Sequence, residues 1–192
     1  MEEPEAIRRS RNGDQAAFRS LVERYGDLVY RTAYLMLHDR GLAEDLTQET
    51  FLAAWKGLKG FDASLPFKPW LLRIVVNRCL NQQRRRAPQT VPLIAEAGMA
   101  AGQGPSPEVA AVQRDTQRLI RRAIASLEED QRLAVMLRYF AGLSVPEIAS
   151  VVSCPQGTVK SRLHRALAHL RVRLEGSDQG ALRKSHQWGE QP

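Results

Sequence analysis

From Ala87 to Val112 the chain reads APQTVPLIAEAGMAAGQGPSPEVAAV, and this run constrains everything around it. It holds four prolines and three glycines, its only charged residues are Glu96 and Glu108, and it has no aromatic. Neither a 3.6-residue nor a 2-residue apolar period survives in it, so neither an amphipathic helix nor a half-buried strand is encoded there. Proline removes a backbone donor and glycine adds backbone freedom. Together they predict a flexible linker over 87–112, with at most a short contact at Val91, Leu93 and Ile94. Two flanks remain, 1–86 and 113–192, each the size of a small domain.

Both flanks carry helical periodicity and neither shows the alternation of a strand. Phe18, Leu21, Val22, Tyr25, Val29 and Thr32 fall on one face of a first helix, with Asp14 as its N-cap. A second helix fits Leu42 to Leu58, with Leu46, Thr50, Ala53, Ala54 and Leu58 inward. A third fits Pro69 to Arg86, opened by Pro69 and carrying Trp70, Leu71, Ile74, Val75 and Leu80 as its apolar set. Beyond the linker, helices fit Pro107 to Ser126, Glu129 to Ala141, Val145 to Val152 and Gln156 to Leu174. The expected fold class is all-α: two small helical domains joined by a flexible linker. The tail from Gly176 has little apolar content and is expected to be mobile.

Charge narrows the partners. The formal net charge is +7 and the isoelectric point about 9.9. The surplus sits in both flanks, at +4 for 1–86 and +5 for 113–192 around a linker of −2. Such a balance favours a polyanion held by both flanks. No apolar run approaches the ~20 residues that span a bilayer. The opening MEEPEAIRRSRNGD has no apolar stretch of the kind a secretion signal carries. A cytoplasmic protein with no membrane contact of its own is expected. Cys79 and Cys154 match neither a zinc spacing nor a C-x-x-C motif, so no metal or other cofactor is expected.

The segment LSVPEIASVVSCPQGTVKSRL has the pattern of a helix-turn-helix. Ser144 can cap the first helix, Pro146 fits its first turn, and Ile148, Ala149 and Val152 supply its apolar face. The turn is SCPQG. The second helix divides into faces: Val159, Leu163, Ala166, Leu167, Leu170 and Leu174 form an apolar stripe. Thr158, Ser161, Arg162 and Arg165 lie opposite, flanked by Lys160, His164 and His169. No acid interrupts this polar face, whereas a merely solvated face usually mixes signs. Arg can bond a guanine edge through two hydrogen bonds, and Lys, Ser and Thr suit phosphates or bases. A repressor or a recombinase can carry such a motif too. The first usually dimerises to read two half-sites, and the second needs an activated nucleophile.

The order of segments in the first flank is more specific than any one motif. GDQAAFRSLVERYGDLVYRTAYLML is followed by LAEDLTQETFLAAWKGL and then by FDASLPFKPWLLRIVVNRCLNQQRRR. With the helix-turn-helix ending, this order strongly resembles the bacterial extracytoplasmic-function (ECF) sigma factors. These are the smallest members of the sigma-70 family, with sigma domains 2 and 4 only. The resemblance covers roughly 13–86 and 113–174. It implies domain 2 over 1–86, the linker over 87–112, domain 4 over 113–175 and a tail over 176–192.

The resemblance also implies roles. Asp45, Gln48 and Glu49, with Phe51 and Trp55 beside them, would dock on the β′ coiled coil of core RNA polymerase, a complex that presents its β and β′ subunits. The loop from Asp62 to Lys68 would take a flipped-out base of the −10 element. The next helix would touch the melted strand, with Phe67, Lys68, Arg73, Asn77 and Arg78 as the contacts in promoter DNA. Thr158, Lys160, Ser161, Arg162, His164 and Arg165 would read the −35 element. The resemblance further implies an anti-sigma factor as a partner, and a role as an initiation factor rather than an enzyme. The sequence departs from the family pattern at Ser153, where glycine is common, at Gln156, and at Pro69.

Overall fold

The computed structural model describes residues 1–86, 119, 120 and 122–186, with side chains through 85 and through 174. Linker residues 87–112, including Val91, Leu93 and Ile94, lie outside the described residues, as does most of the helix expected from Pro107. All regular structure among the described residues is helical. The contacts divide the chain into two compact units. One comprises Met1–Ala95 with Met136–Val159, and the other Glu96–Val135 with Lys160–Pro192.

The first unit opens with a helix that the apolar periodicity did not predict, α1 (Glu3–Arg11). Its signals are electrostatic: Pro4 in the first turn, Glu3 and Glu5 near the positive N-terminus, and Arg8, Arg9 and Arg11 near the negative C-terminus. It buries Ala6, Ile7 and Ser10, and the Ser10 hydroxyl donates to the Ala6 carbonyl at 2.6 Å. Two side-chain ties fasten α1 to the next helix, α2 (Gln15–Leu37). Arg9 donates to Asp14 at 2.8 and 2.5 Å, and the Tyr25 hydroxyl donates to Glu3. Asp14 is the expected N-cap and accepts from the Ala17 N–H at 3.0 Å. That backbone bond and the Arg9 guanidinium hold its carboxyl below the usual range.

Helix α2 buries Ala17, Leu21, Tyr25, Val29, Thr32, Ala33 and Met36, a stripe at steps of three and four. Phe18 and Val22 are only half-buried. Helix α3 (Arg40–Gly57), capped by Asp39, buries Ala43, Leu46, Thr50, Phe51 and Ala54. A 3-10 turn over Leu58–Gly60 and the exposed loop 62–66 lead into α4 (Phe67–Arg86). Helix α2 contacts α1, α3 and α4, and α3 contacts α4.

Helix α4 starts at Phe67 rather than Pro69, and its buried stripe differs from the expected one. Phe67, Leu71, Leu72, Val75, Val76 and Cys79 are buried, while Trp70, Ile74 and Leu80 are half-buried. The rotation follows from Phe67, whose ring packs against Tyr25, Phe61 and Trp70 at centroid distances of 5.6, 5.7 and 5.5 Å. Once Phe67 is inward, residues four, eight and twelve later are inward with it.

The first unit also holds a π-turn over Met136–Phe140 and α6 (Val145–Val152), which contacts α4. The second unit contains helical residues 122–125, α5 (Glu129–Val135), which runs directly into that π-turn, and the body of α7 (Gln156–His186). Helix α7 continues past the expected end at Leu174. No proline lies between 175 and 186, and each added residue gains a backbone hydrogen bond. In the second unit Ser126 Oγ lies 3.0 Å from His169 Nε2, and Arg162 is ion-paired with Asp130. Among the described residues every buried side-chain polar atom has a partner, and no helix is long and apolar enough to cross a membrane.

Candidate nucleic-acid interface

Helix α6 starts with the expected signals, but it buries Ile148, Ala149 and Val151, and the expected Val152 is half-buried. Ser144 and Glu147 form a capping box at the start of α6. The Ser144 N–H donates to Glu147 Oε2 at 2.7 Å, the Ser144 hydroxyl to the same oxygen at 2.6 Å, and the Glu147 N–H to Ser144 Oγ at 3.4 Å. These bonds, that of the Ser144 hydroxyl foremost, hold the Glu147 carboxyl below its usual range. Helix α6 ends at Ser153, whose φ of 53° and ψ of 46° place it in the left-handed region. Its N–H bonds the Ala149 carbonyl, closing the last turn. Serine thus occupies the conformation that makes glycine common at this position.

Along α7, Val159, Leu163 and Ala166 are buried. Lys160, Ser161, His164 and Arg165 are exposed, and Thr158 is half-buried. Arg165 lies back along its own helix, its Nη2 3.3 Å from Ser161 Oγ. Arg162 behaves differently from its neighbours: its ion pair with Asp130 turns it away from the exposed face. Leu167, expected in the apolar stripe, is 42% exposed, and Leu170 and Leu174 are half-buried. The stripe thins after Ala166.

On α4 the exposed candidates are Arg73 and Asn77, four residues apart and so on one face. Phe67 requires a correction. It was expected among the contacts in promoter DNA, but it is 1% exposed at the centre of the aromatic cluster and presents no face outward. The exposed apolar side chain of this region is Leu65 at 58%, on the loop that ends at Pro66. Lys68 is half-buried and its Nζ donates to the Ala141 carbonyl at 3.2 Å. Arg78 is ion-paired with Glu49 of α3.

A different surface lies on α3. Asp45, Gln48 and Glu49 are all exposed. Phe51 requires a second correction: it is 7% exposed and packs edge-on to Phe18 at 6.3 Å. Trp55, 4.9 Å from Phe18, is half-buried. Leu52, which is not among the expected contacts, is 61% exposed. It sits four residues after Gln48 and three after Glu49, and that spacing could have marked it as part of the patch. The patch therefore joins two carboxylates and an amide to an apolar centre. Among the described residues no cluster of His, Cys, Asp and Glu could hold a metal ion.

The segments that carry these surfaces match two family descriptions in order: Sigma-70 region 2 over 21–89 and Sigma-70 region 4 over 117–170. The chain is 34% identical over 177 residues to the ECF RNA polymerase sigma factor SigW of Bacillus subtilis, covering 88% of this chain and 94% of that one. The chain belongs to the ECF sigma factors of the sigma-70 family. The ECF RNA polymerase sigma-E factor of Escherichia coli is 38% identical over 170 residues, 83% of this chain and 87% of that one. Among solved structures it is similar to the sigma factor RpoE of Bartonella quintana in complex with the anti-sigma factor NepR. The TM-score is 0.68 at 26% identity, over 82% of this chain and 96% of that one. As a sigma factor it serves RNA polymerase in promoter-specific transcription.

Proposed function

We propose that this sigma factor docks on core RNA polymerase through α3 and holds promoter DNA with two separate helices. Asp45, Gln48 and Glu49 around Leu52 suit a basic partner with an apolar contact, as the coiled coil of the β′ subunit would be. Helix α7 enters the major groove of the −35 element, with Lys160, Ser161, His164 and Arg165 toward the DNA and Thr158 at its rim. Helix α4 lies along the melted −10 strand, with Arg73 on phosphates and Asn77 on a base edge. The half-buried Trp70 offers an aromatic face to an extruded base, and the exposed Leu65 an apolar contact beside it. Stacking returns about 1–3 kcal/mol per base. That is enough to offset the few kcal/mol that extruding a base costs.

On this reading residues 1–86 form domain 2, 113–175 domain 4, and 87–112 the connection between them. The polymerase performs the chemistry, so the chain is an initiation factor in the cytoplasm and not an enzyme. An anti-sigma factor is a fitting further partner, since the RpoE structure it resembles is held by one.

The observation that carries this reading is the coexistence of two surfaces of opposite character. One is the acid-free exposed face of α7, and the other the acidic face of α3. A plain operator-binding repressor leaves the second unexplained. The test is transcription by core polymerase with and without the purified chain, on a library of promoter fragments from its own genome. Start sites that appear only with the chain are expected. Their absence on every fragment overturns the reading.

A further inference from the structure

Arg8, Arg11, Asn12 and Lys59 line one open depression of about 250 Å³ on the first unit. Arg8 and Arg11 come from the last turn of α1 and Asn12 caps it, while Lys59 comes from the 3-10 turn after α3. These two elements are in contact, so residues almost fifty positions apart share one surface. Basic residues at the end of α1 complement its dipole, and that alone accounts for their presence on the helix. It does not account for Lys59, which belongs to another element. Arg9, on the same turn, is engaged by Asp14 and does not line the depression.

The lining consists of three cations and an amide, with no apolar side chain. The carboxylates nearby are Glu5, which bonds Arg8 at 2.6 Å, and Asp62, on which Arg11 acts electrostatically while its Oδ1 accepts from the Ser64 N–H at 2.9 Å. Guanidinium, ammonium and amide groups all donate, which is the chemistry that receives phosphate oxygens. Lys59 precedes by only a few residues the loop 62–66 that carries Leu65. Asp62, the first residue of that loop, is within electrostatic reach of Arg11, so the loop and the depression are neighbours.

We infer that Arg8, Arg11, Asn12 and Lys59 form a further contact for the phosphate backbone of promoter DNA, beside the −10 strand. The inference rests on the placement of that strand under Proposed function. The contact holds phosphates and reads no bases, so it adds affinity and salt dependence without sequence preference.

The test uses the full chain assembled with core polymerase. The probe is a fluorescent duplex fragment from a promoter that the wild-type chain transcribes, with its −10 segment pre-opened, titrated across a range of KCl. The combined variant Arg8→Gln, Arg11→Gln, Lys59→Gln should lower the slope of log affinity against log salt by about 2–3, at about 0.7–0.9 for each of the three cations. The loss should be equal for fragments of different −10 sequence. The charge-preserving variant Arg8→Lys, Arg11→Lys, Lys59→Arg should keep most of the slope. The single variant Lys59→Gln, on an exposed turn, covers the case in which the triple variant does not fold, and should lower the slope by about 0.7–0.9. A wild-type slope in the triple or single variant overturns the contact. A loss confined to one −10 sequence overturns its backbone character. Failure of the wild-type chain to transcribe any promoter instead overturns the reading on which the contact rests.

Discussion

The guanidinium of Arg78 on α4 is ion-paired with the carboxylate of Glu49 on α3, so a residue that the family resemblance assigns to DNA is tied to one proposed to touch polymerase. Both side chains keep substantial contact with solvent, and an exposed pair of this kind contributes about 0–1 kcal/mol. A basic partner that engages Glu49 therefore meets little resistance and leaves Arg78 available for a phosphate. Glu49→Gln should change unfolding free energy by less than about 1 kcal/mol. It should weaken the affinity of the chain for core polymerase by several-fold, and Glu49→Lys by more. Competition with the wild-type chain for core polymerase measures this. Unchanged competition by both variants would remove Glu49 from the docking surface.

The two arginines of α7 should separate. Arg165 is exposed, and Arg165→Ala should cost about 1–3 kcal/mol of −35 binding and relax preference at one base position. Arg162 is paired with Asp130, so Arg162→Ala should lower stability slightly and affinity uniformly across sequences. Binding selection from a randomised −35 library reads both. A uniform loss for Arg165→Ala would make that residue a phosphate contact.

Phe67 and Leu65 make the opposite pair. Phe67 sits in a closed aromatic cluster with Tyr25, Phe61 and Trp70, so Phe67→Ala should cost about 3–5 kcal/mol of stability. Leu65→Ala should leave urea unfolding almost unchanged and slow promoter opening, followed with a fluorescent base in the −10 element. Slow opening with wild-type unfolding in Phe67→Ala would reverse the two assignments.

These residues also show what the sequence could convey. Its periodicity located α2, α3, α6 and the start of α7, because each buries a stripe at steps of three and four under a side-chain or proline signal. It missed α1 because two of the three residues that helix buries are small or polar: Ala6, and Ser10, whose hydroxyl is satisfied within the helix. It mis-set the face of α4 because FKPWLLRIVV is apolar at nearly every angle, and only contact with Tyr25 selects Phe67 as inward. The polar face of α7 was readable, but the withdrawal of Arg162 toward Asp130 was not. Asp130 lies on another helix, thirty-two residues earlier in the chain.

Ser153 predicts a stabilising change. An L-residue in the left-handed region costs roughly 1–2 kcal/mol, which glycine avoids. Glycine also widens the unfolded ensemble at about 0.4–1 kcal/mol. Ser153→Gly should therefore raise the unfolding free energy by about 1 kcal/mol, measured by urea titration. Ser153→Ala should not, since alanine carries the same Cβ.

The capping box at Ser144 and Glu147 gives the pH dependence a sign. The Glu147 carboxyl is held below its ordinary 4.5 by the Ser144 hydroxyl and N–H, so the folded state favours the charged form. A depressed carboxyl contributes stability that is fully present above the unfolded value. That stability is lost as pH falls through the folded value. Unfolding free energy should accordingly fall as pH drops below the ordinary 4.5 of a glutamate. Part of that fall should disappear in Glu147→Gln, which keeps an acceptor at N3 but cannot titrate. Ser144→Ala should cost about 1 kcal/mol at neutral pH and also flatten the acid limb, because it removes the bond that depresses Glu147 most. An acid limb of wild-type steepness in both variants would show that the box does not govern this titration.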